Sequence, residues 1–175
     1  MAPPATPDSR PAVVHWRLRA FDDLAAWELV RLLRARQEVF SVEQQCAYLD
    51  ADGADEASHH LAGWSLDPDD PRSRHDAAMN VPLAVARLVA PGVKYPEPSI
   101  GRVVTTAGAR GLGLGRELMR RALAATAELH PGAPVRISAQ SRLERFYQDF
   151  GFVIVSERYL EDGIPHTEML WQPPV

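Results

Sequence analysis

Residues 109–130, ARGLGLGRELMRRALAATAELH, place Gly111, Gly113 and Gly115 directly ahead of a helix-patterned run. Glycine gives up more backbone freedom on folding than any other residue and packs nothing. The preceding SIGRVVTT, residues 99–106, has the pattern of a strand. After the glycines, Leu118, Ala122, Ala125 and Leu129 fall on one helical stripe, with Met119 and Leu123 beside it. His130-Pro131-Gly132 then supplies a stop. Strand, glycine turn, helix is the general recipe for an anion site. The first amides of the helix lack internal acceptors, and its macrodipole puts partial positive charge there.

The remaining pattern constrains the architecture. VVHWRLRAF, residues 13–21, alternates as a strand does. Asp22 offers an N-cap for a helix over 23–40, with Ala26, Val30, Leu33 and Phe40 on one face. Strands at 60–66 and 82–91 flank a Pro- and Asp-rich loop over 67–81, an arrangement that suits an antiparallel pair. In the second of these Leu83, Val85, Arg87 and Val89 alternate. Beyond the glycine helix come a strand at 134–140, a short helix at 141–151 closed by Gly151, and a strand at 152–160. A turn at 161–165 and a last strand at 166–172 complete the chain. The order β-α-β-β-β-α-β-α-β-β mixes hairpins with helical crossovers. The expected class is therefore α/β of the α+β kind: a mixed, mostly antiparallel central sheet flanked by helices.

Composition excludes several function classes. A length of 175 residues fits one domain, and 46% hydrophobic with 24% charged residues is an ordinary globular profile. A net charge of −4 gives no basic footprint, so no nucleic acid partner is expected. No apolar run approaches the ~20 residues of a membrane span, and no membrane partner is expected. Cys46 is the single cysteine, which rules out an internal disulfide and suits a reducing, cytoplasmic setting. The first eleven residues hold four prolines and no apolar signal segment. A disordered leader over 1–12 and one domain over 13–175 are expected. No metal is expected either. DADGADE puts its glycine at the wrong position for a calcium loop, and Cys46, His59 and His60 match no zinc spacing.

Two familiar phosphate loops do not fit the glycines. A Walker loop needs Lys and then Ser or Thr after its last glycine, whereas Arg116 and Glu117 follow Gly115. A dinucleotide fingerprint needs G-x-G-x-x-G, one residue longer than the spacing here. A turn without any ligand remains an alternative. The pattern R-x-x-G-x-G at Arg110, Gly113 and Gly115 resembles the pyrophosphate loop of the GNAT N-acetyltransferase superfamily. FYQDFGF is similar to that superfamily's Tyr-x-x-x-Gly-Phe segment, with Tyr147, Gly151 and Phe152 matching. LRARQEVFSVEQQCAYLDADGAD, HLAGW, IGRVVTT and EDGIPH extend the resemblance to the ElaA-type branch, over about residues 30–170. The leader and the 67–81 loop lie outside the resemblance.

The resemblance implies the GNAT acyl-CoA N-acyltransferase fold and an acetyl-CoA-dependent N-acetyltransferase working by direct attack in a ternary complex. A silent acetyl-CoA-binding sensor and a purely structural protein are the rival readings. The coenzyme pyrophosphate would lie on Arg110, Gly111, Leu112, Gly113, Leu114, Gly115 and Arg116, although Arg116 fits a solvent-facing role equally well. The strand edge Val103, Val104 and Thr105 would bind the pantetheine arm and hold the oxyanion, which in other enzymes is worth ~3 kcal/mol. Tyr147 would protonate the leaving thiolate. With reference values of ~10 for a phenol and ~8.5 for a thiol, that transfer is uphill by ~2 kcal/mol, so hydrogen-bond donation is an equal role for it. An amine also needs a base. Glu43, Asp50, Asp52, His60, Glu161 and His166 are candidates, with Glu43 and His166 the first to test. The partner is an amine acceptor of unspecified kind, a small amine, a peptide N-terminus or a protein lysine. Family habit adds a homodimer. The acidic 50–56 stretch would attract a cationic acceptor.

Overall fold

The computed structural model describes residues 13–76 and 80–174. The expected leader, residues 1–12, lies outside them. The elements are β1 (His15–Ala20), α1 (Ala26–Gln37), β2 (Ser58–Trp64), α2 (Pro71–His75), β3 (Pro82–Val89) and β4 (Ser99–Thr105), then α3 (Leu114–Leu129), β5 (Val135–Gln140), α4 (Glu144–Gln148), β6 (Val153–Ile154), β7 (Tyr159–Glu161) and β8 (Ile164–Trp171). The strands form one sheet in the order β1-β2-β3-β4-β5-β8-β6, with β7 also on β8. Every pairing is antiparallel except β4 with β5. The mixed, mostly antiparallel sheet expected from the sequence is thus observed.

Helices cover both faces. On one, α3 buries Leu118, Met119, Ala122 and Leu123 against Ala84, Ala86, Leu88 and Ile137, and α4 adds Tyr147. On the other, α1 buries Leu32 and Ala35 against Ala62, Trp64, Val85 and Val104. All eight residues of β3 are consequently buried. Its alternation does not mark a solvent face: Arg87 is 1% exposed.

Four local expectations are corrected. Asp22 belongs to a single 3₁₀ turn, and the first long helix instead starts after Ala25, whose amide donates to Glu28 Oε2 at 2.9 Å. Glu28 thus supplies the half of a capping box that an alanine N-cap still allows, the bond back to the N-cap amide. The buried face of α1 carries Glu28, Leu32, Ala35 and Arg36, while Ala26 and Val30 are exposed. Apolar periodicity does not include charged residues, yet Arg36 is fully buried by ion pairs. The 67–81 loop contains α2, started by Pro71 and capped by Asp70 accepting from the Arg72 amide. The strand expected at 152–160 is two short strands, because Ser156 leaves the ladder and its hydroxyl accepts from the Glu168 amide.

The acidic 50–55 segment folds inward. Arg36 binds Asp50 at 2.8 Å and Asp55 at 2.6 Å, and Arg87 binds Asp52 at 2.6 Å and Asp55 at 3.0 Å. Burial alone would raise the Asp55 pKa, but the two guanidinium groups outweigh it and hold the carboxyl below its usual range. The carboxylates are thereby consumed by the protein's own arginines and are not a lure for a cationic acceptor.

Because the folded pKa is depressed, this stabilisation is complete above the unfolded value of ~3.9 and is lost as pH falls through the folded one. Asp55→Asn leaves Arg36 short of one buried partner and should cost about 3–5 kcal/mol at pH 7. Urea unfolding at pH 7 and pH 3 checks this. The difference between wild type and variant should shrink at pH 3, and an equal difference at both pH values contradicts the account.

Candidate active site

β4 and β5 touch through one bridge, Ser99 with Arg136, supported by the Arg136 amide donating to Pro98 O at 3.0 Å. Beyond it the strands part, and the β4 edge over 101–105 has no strand beside it on that side. The gap opens a cleft of about 330 Å³. The ladder with β3 shifts between Val85 and Arg87, and at this bulge Arg102 has φ +52°. A left-handed non-glycine residue costs on the order of 1–3 kcal/mol. Its guanidinium, 2.9 Å from Asp50 and 3.2 Å from Asp52 and lying over the Tyr48 ring at 5.1 Å, offsets that strain. Val103, next along, lines the cleft, while Val104 is buried towards α1.

The end of β4 leads into the glycine loop. Gly111 and Gly113 have φ of +79° and +76°, and Gly113 is the N-cap of α3. The turn itself accounts for those two. Gly115 has no positive φ, and a Cβ there would meet only Thr105 Cγ2 at an ordinary 3.7 Å. In a first helical turn it costs about 0.8–1 kcal/mol relative to alanine, with no internal reason for its presence. Among the described residues, the amides of 111–115 donate to no protein acceptor, whereas those of Arg116 and Glu117 return to Gly113 O. Leu112 and Leu114 are half-buried, Leu114 against the main core. Arg110 pairs with Glu43. Arg116 reaches Asp149 at 2.7 Å and lies over Phe146 and Phe150, so it is anchored to α4.

Tyr147 and His166 both line the cleft. Tyr147 is 7% exposed and edge-on to Phe146 and Phe152. Its hydroxyl has no protein partner among the described residues, and burial pushes its pKa up to about 12. The His166 Nδ1–H donates to Ile164 O at 2.8 Å, which leaves Nε2 facing Glu161, 4.0 Å away. Ser138 donates to Glu161 at 2.8 Å and accepts from Tyr159 at 2.6 Å. The type I′ turn Asp162-Gly163, with φ of +50° and +77°, sets this β7–β8 hairpin.

Of the other base candidates, Glu43 does not line the cleft and is held by Arg110. Asp50 is buried under Arg36 and Arg102, and Asp52 lines the cleft in ion pairs with Arg87 and Lys94. His60 is 2% exposed, its Nε2 3.1 Å from Asp55 O. The sequence reading missed Arg102, Tyr48, Lys94, Tyr95 and Ser138, all of them in the cleft lining. No local pattern marks an arginine as the left-handed residue of a bulge.

A family model described as an acetyltransferase (GNAT) domain matches residues 83–173, from β3 to just past β8. The chain belongs to the GNAT family. Within it the chain sits in the ElaA branch: it is 35% identical to Escherichia coli ElaA over 159 residues, 90% of this chain and 95% of that protein. The crystal structure of E. coli ElaA superposes with a TM-score of 0.79 at 34% identity, covering 91% and 100% of the two chains. An acyl-CoA N-acyltransferase from Pseudomonas aeruginosa also gives 0.79, at 42% identity and 91% and 99% coverage. Membership in this GNAT branch makes the protein an acyltransferase by fold and family.

All four tyrosines of this GNAT protein are shifted upward, Tyr48, Tyr95 and Tyr147 to about 12, with desolvation the largest cause in each. Tyrosinate absorbance from Tyr48, Tyr95 and Tyr147 should therefore be nearly absent at pH 10, where a free phenol is half ionised. The folded state keeps protons that the unfolded chain has released, so stability should decline above pH ~10. Half-complete titration at pH 10 with an intact circular dichroism spectrum would contradict the burial described.

Proposed function

We propose that the protein is an acetyl-CoA-dependent N-acetyltransferase acting on an amine by direct attack in a ternary complex. The observation that carries this is the pairing of a Gly115 the fold does not need with unpaired amides at 111–115. These fit a pyrophosphate approaching the α3 N-terminus without a Cβ in the way. Arg110 and Arg116 flank it, Arg110 by exchanging Glu43 for phosphate oxygens. The open β4 edge at Val103, Val104 and Thr105 fits a pantetheine arm bound as an added strand, and one of its amides is available to an oxyanion.

The coenzyme supplies the acetyl thioester and a thiolate leaving group. His166 Nε2 takes the proton from the attacking amine, directly or through one water, because its Nδ1 is committed to Ile164 O. Tyr147 keeps its proton throughout the physiological range. Full transfer to a free thiolate with pKa ~8.5 is uphill by roughly 5 kcal/mol, so Tyr147 acts chiefly by donating a hydrogen bond to the developing sulfur charge.

Calorimetric titration with acetyl-CoA, followed by an assay of thioester consumption over an amine panel, tests this. Gly115→Ala should keep or raise Tm and weaken acetyl-CoA binding at least tenfold. Tyr147→Phe should lower kcat by about 10²-fold with binding of acetyl-CoA unchanged. Unchanged binding in Gly115→Ala returns the glycines to a bare turn. Tight binding without turnover of any amine leaves a coenzyme-binding module.

A further inference from the structure

The cleft is electrostatically divided. On the β3–β4 side Arg87, Lys94 and Arg102 line it, with Asp52 as the accompanying anion. On the β7–β8 side Glu161 and Asp162 line it beside His166. Taken with the buried Arg36, the first wall holds four cations, Arg36, Arg87, Lys94 and Arg102, against three carboxylates, Asp50, Asp52 and Asp55. One positive charge on that wall lacks an anion of its own.

Lys94 is the group with most freedom. Its single ion pair is to Asp52 at 3.4 Å, an oxygen it shares with Arg102 at 3.2 Å, and its side chain is 39% exposed. It is also the only lysine in the chain, in a sequence that otherwise uses arginine for every cation. Arg87 is 1% exposed and lines the cleft. A surplus cation in a partly desolvated wall is costly unless an anion completes it. Tyr48 and Tyr95 line the cleft as well.

We infer that Lys94, with Arg87 and Arg102 behind it, forms a carboxylate subsite, so that the acceptor is an amine that also bears a carboxylate, such as a free amino acid or a small peptide. The amine of such a zwitterion lies towards His166, Glu161 and Asp162, and its carboxylate lies on the opposite wall. The attractive partners for each end are then on separate walls of one cleft, which fixes the orientation of the acceptor across it. This inference rests on the acetyltransferase reading and narrows it.

The test compares free amino acids and dipeptides with their C-terminal amides as acceptors, using the full chain and acetyl-CoA. Acids should be used with KM at least tenfold below that of the matching amides. Lys94→Met should erase that ratio, and Lys94→Arg should restore most of it. Equal use of acids and amides, or a ratio that survives Lys94→Met, overturns the carboxylate subsite and leaves the acetyltransferase reading standing. Failure of every amine, acid or amide, to support acetyl-CoA consumption, despite measurable acetyl-CoA binding, overturns both.

Discussion

Ser99 and Arg136 are the last residues at which β4 and β5 meet, and the cleft depends on their separation after that point. A central sheet normally satisfies its backbone donors and acceptors by continuing the ladder. Here the chain stops doing so in its middle. On one side β4 stays paired with β3 and then enters the glycine loop. On the other β5 pairs along its whole length with β8, which carries His166. The same gap therefore yields an unpaired strand edge, a cleft and a free helix N-terminus in sequence along one path. A coenzyme with an amide-bearing arm and a pyrophosphate is the kind of ligand that can use all three.

The ion-pair network holds one wall of the gap in place. Arg36 from α1 and Arg87 from β3 anchor the 50–55 segment, and Arg102 ties it to the bulged β4. Burying so many charges is a poor route to stability. It makes structural sense where a rigid polar wall is needed next to a cleft. The six-residue π-helical turn at Glu38–Glu43, which carries Phe40 to the cleft, adds to that wall. Such turns are frequent at functional sites.

Much of this was legible in the sequence, for identifiable reasons. Strand and helix order followed from periodicity, and the glycine turn from residue type alone. Tyr147 and His166 fall in the cleft because the short helix and the Asp162-Gly163 turn that carry them have strong local signals. The inward fold of Asp50, Asp52 and Asp55 was not legible. An acidic run reads as a solvated surface, and only long-range arginines, 14 and 19 residues away for Arg36, reveal otherwise. Arg102 and Lys94 were missed for a similar reason. Their places in the cleft come from a bulge and from ion pairs distant in sequence, neither of which leaves a local pattern.

The central claim is that the unpaired edge of β4 and the glycine loop receive one coenzyme molecule together. Hydrogen–deuterium exchange with and without acetyl-CoA measures this directly. The account predicts slowed exchange in two stretches, 101–105 and 111–116, with β1 and β2 unaffected. Protection of the loop without the strand edge, or of neither, would contradict it.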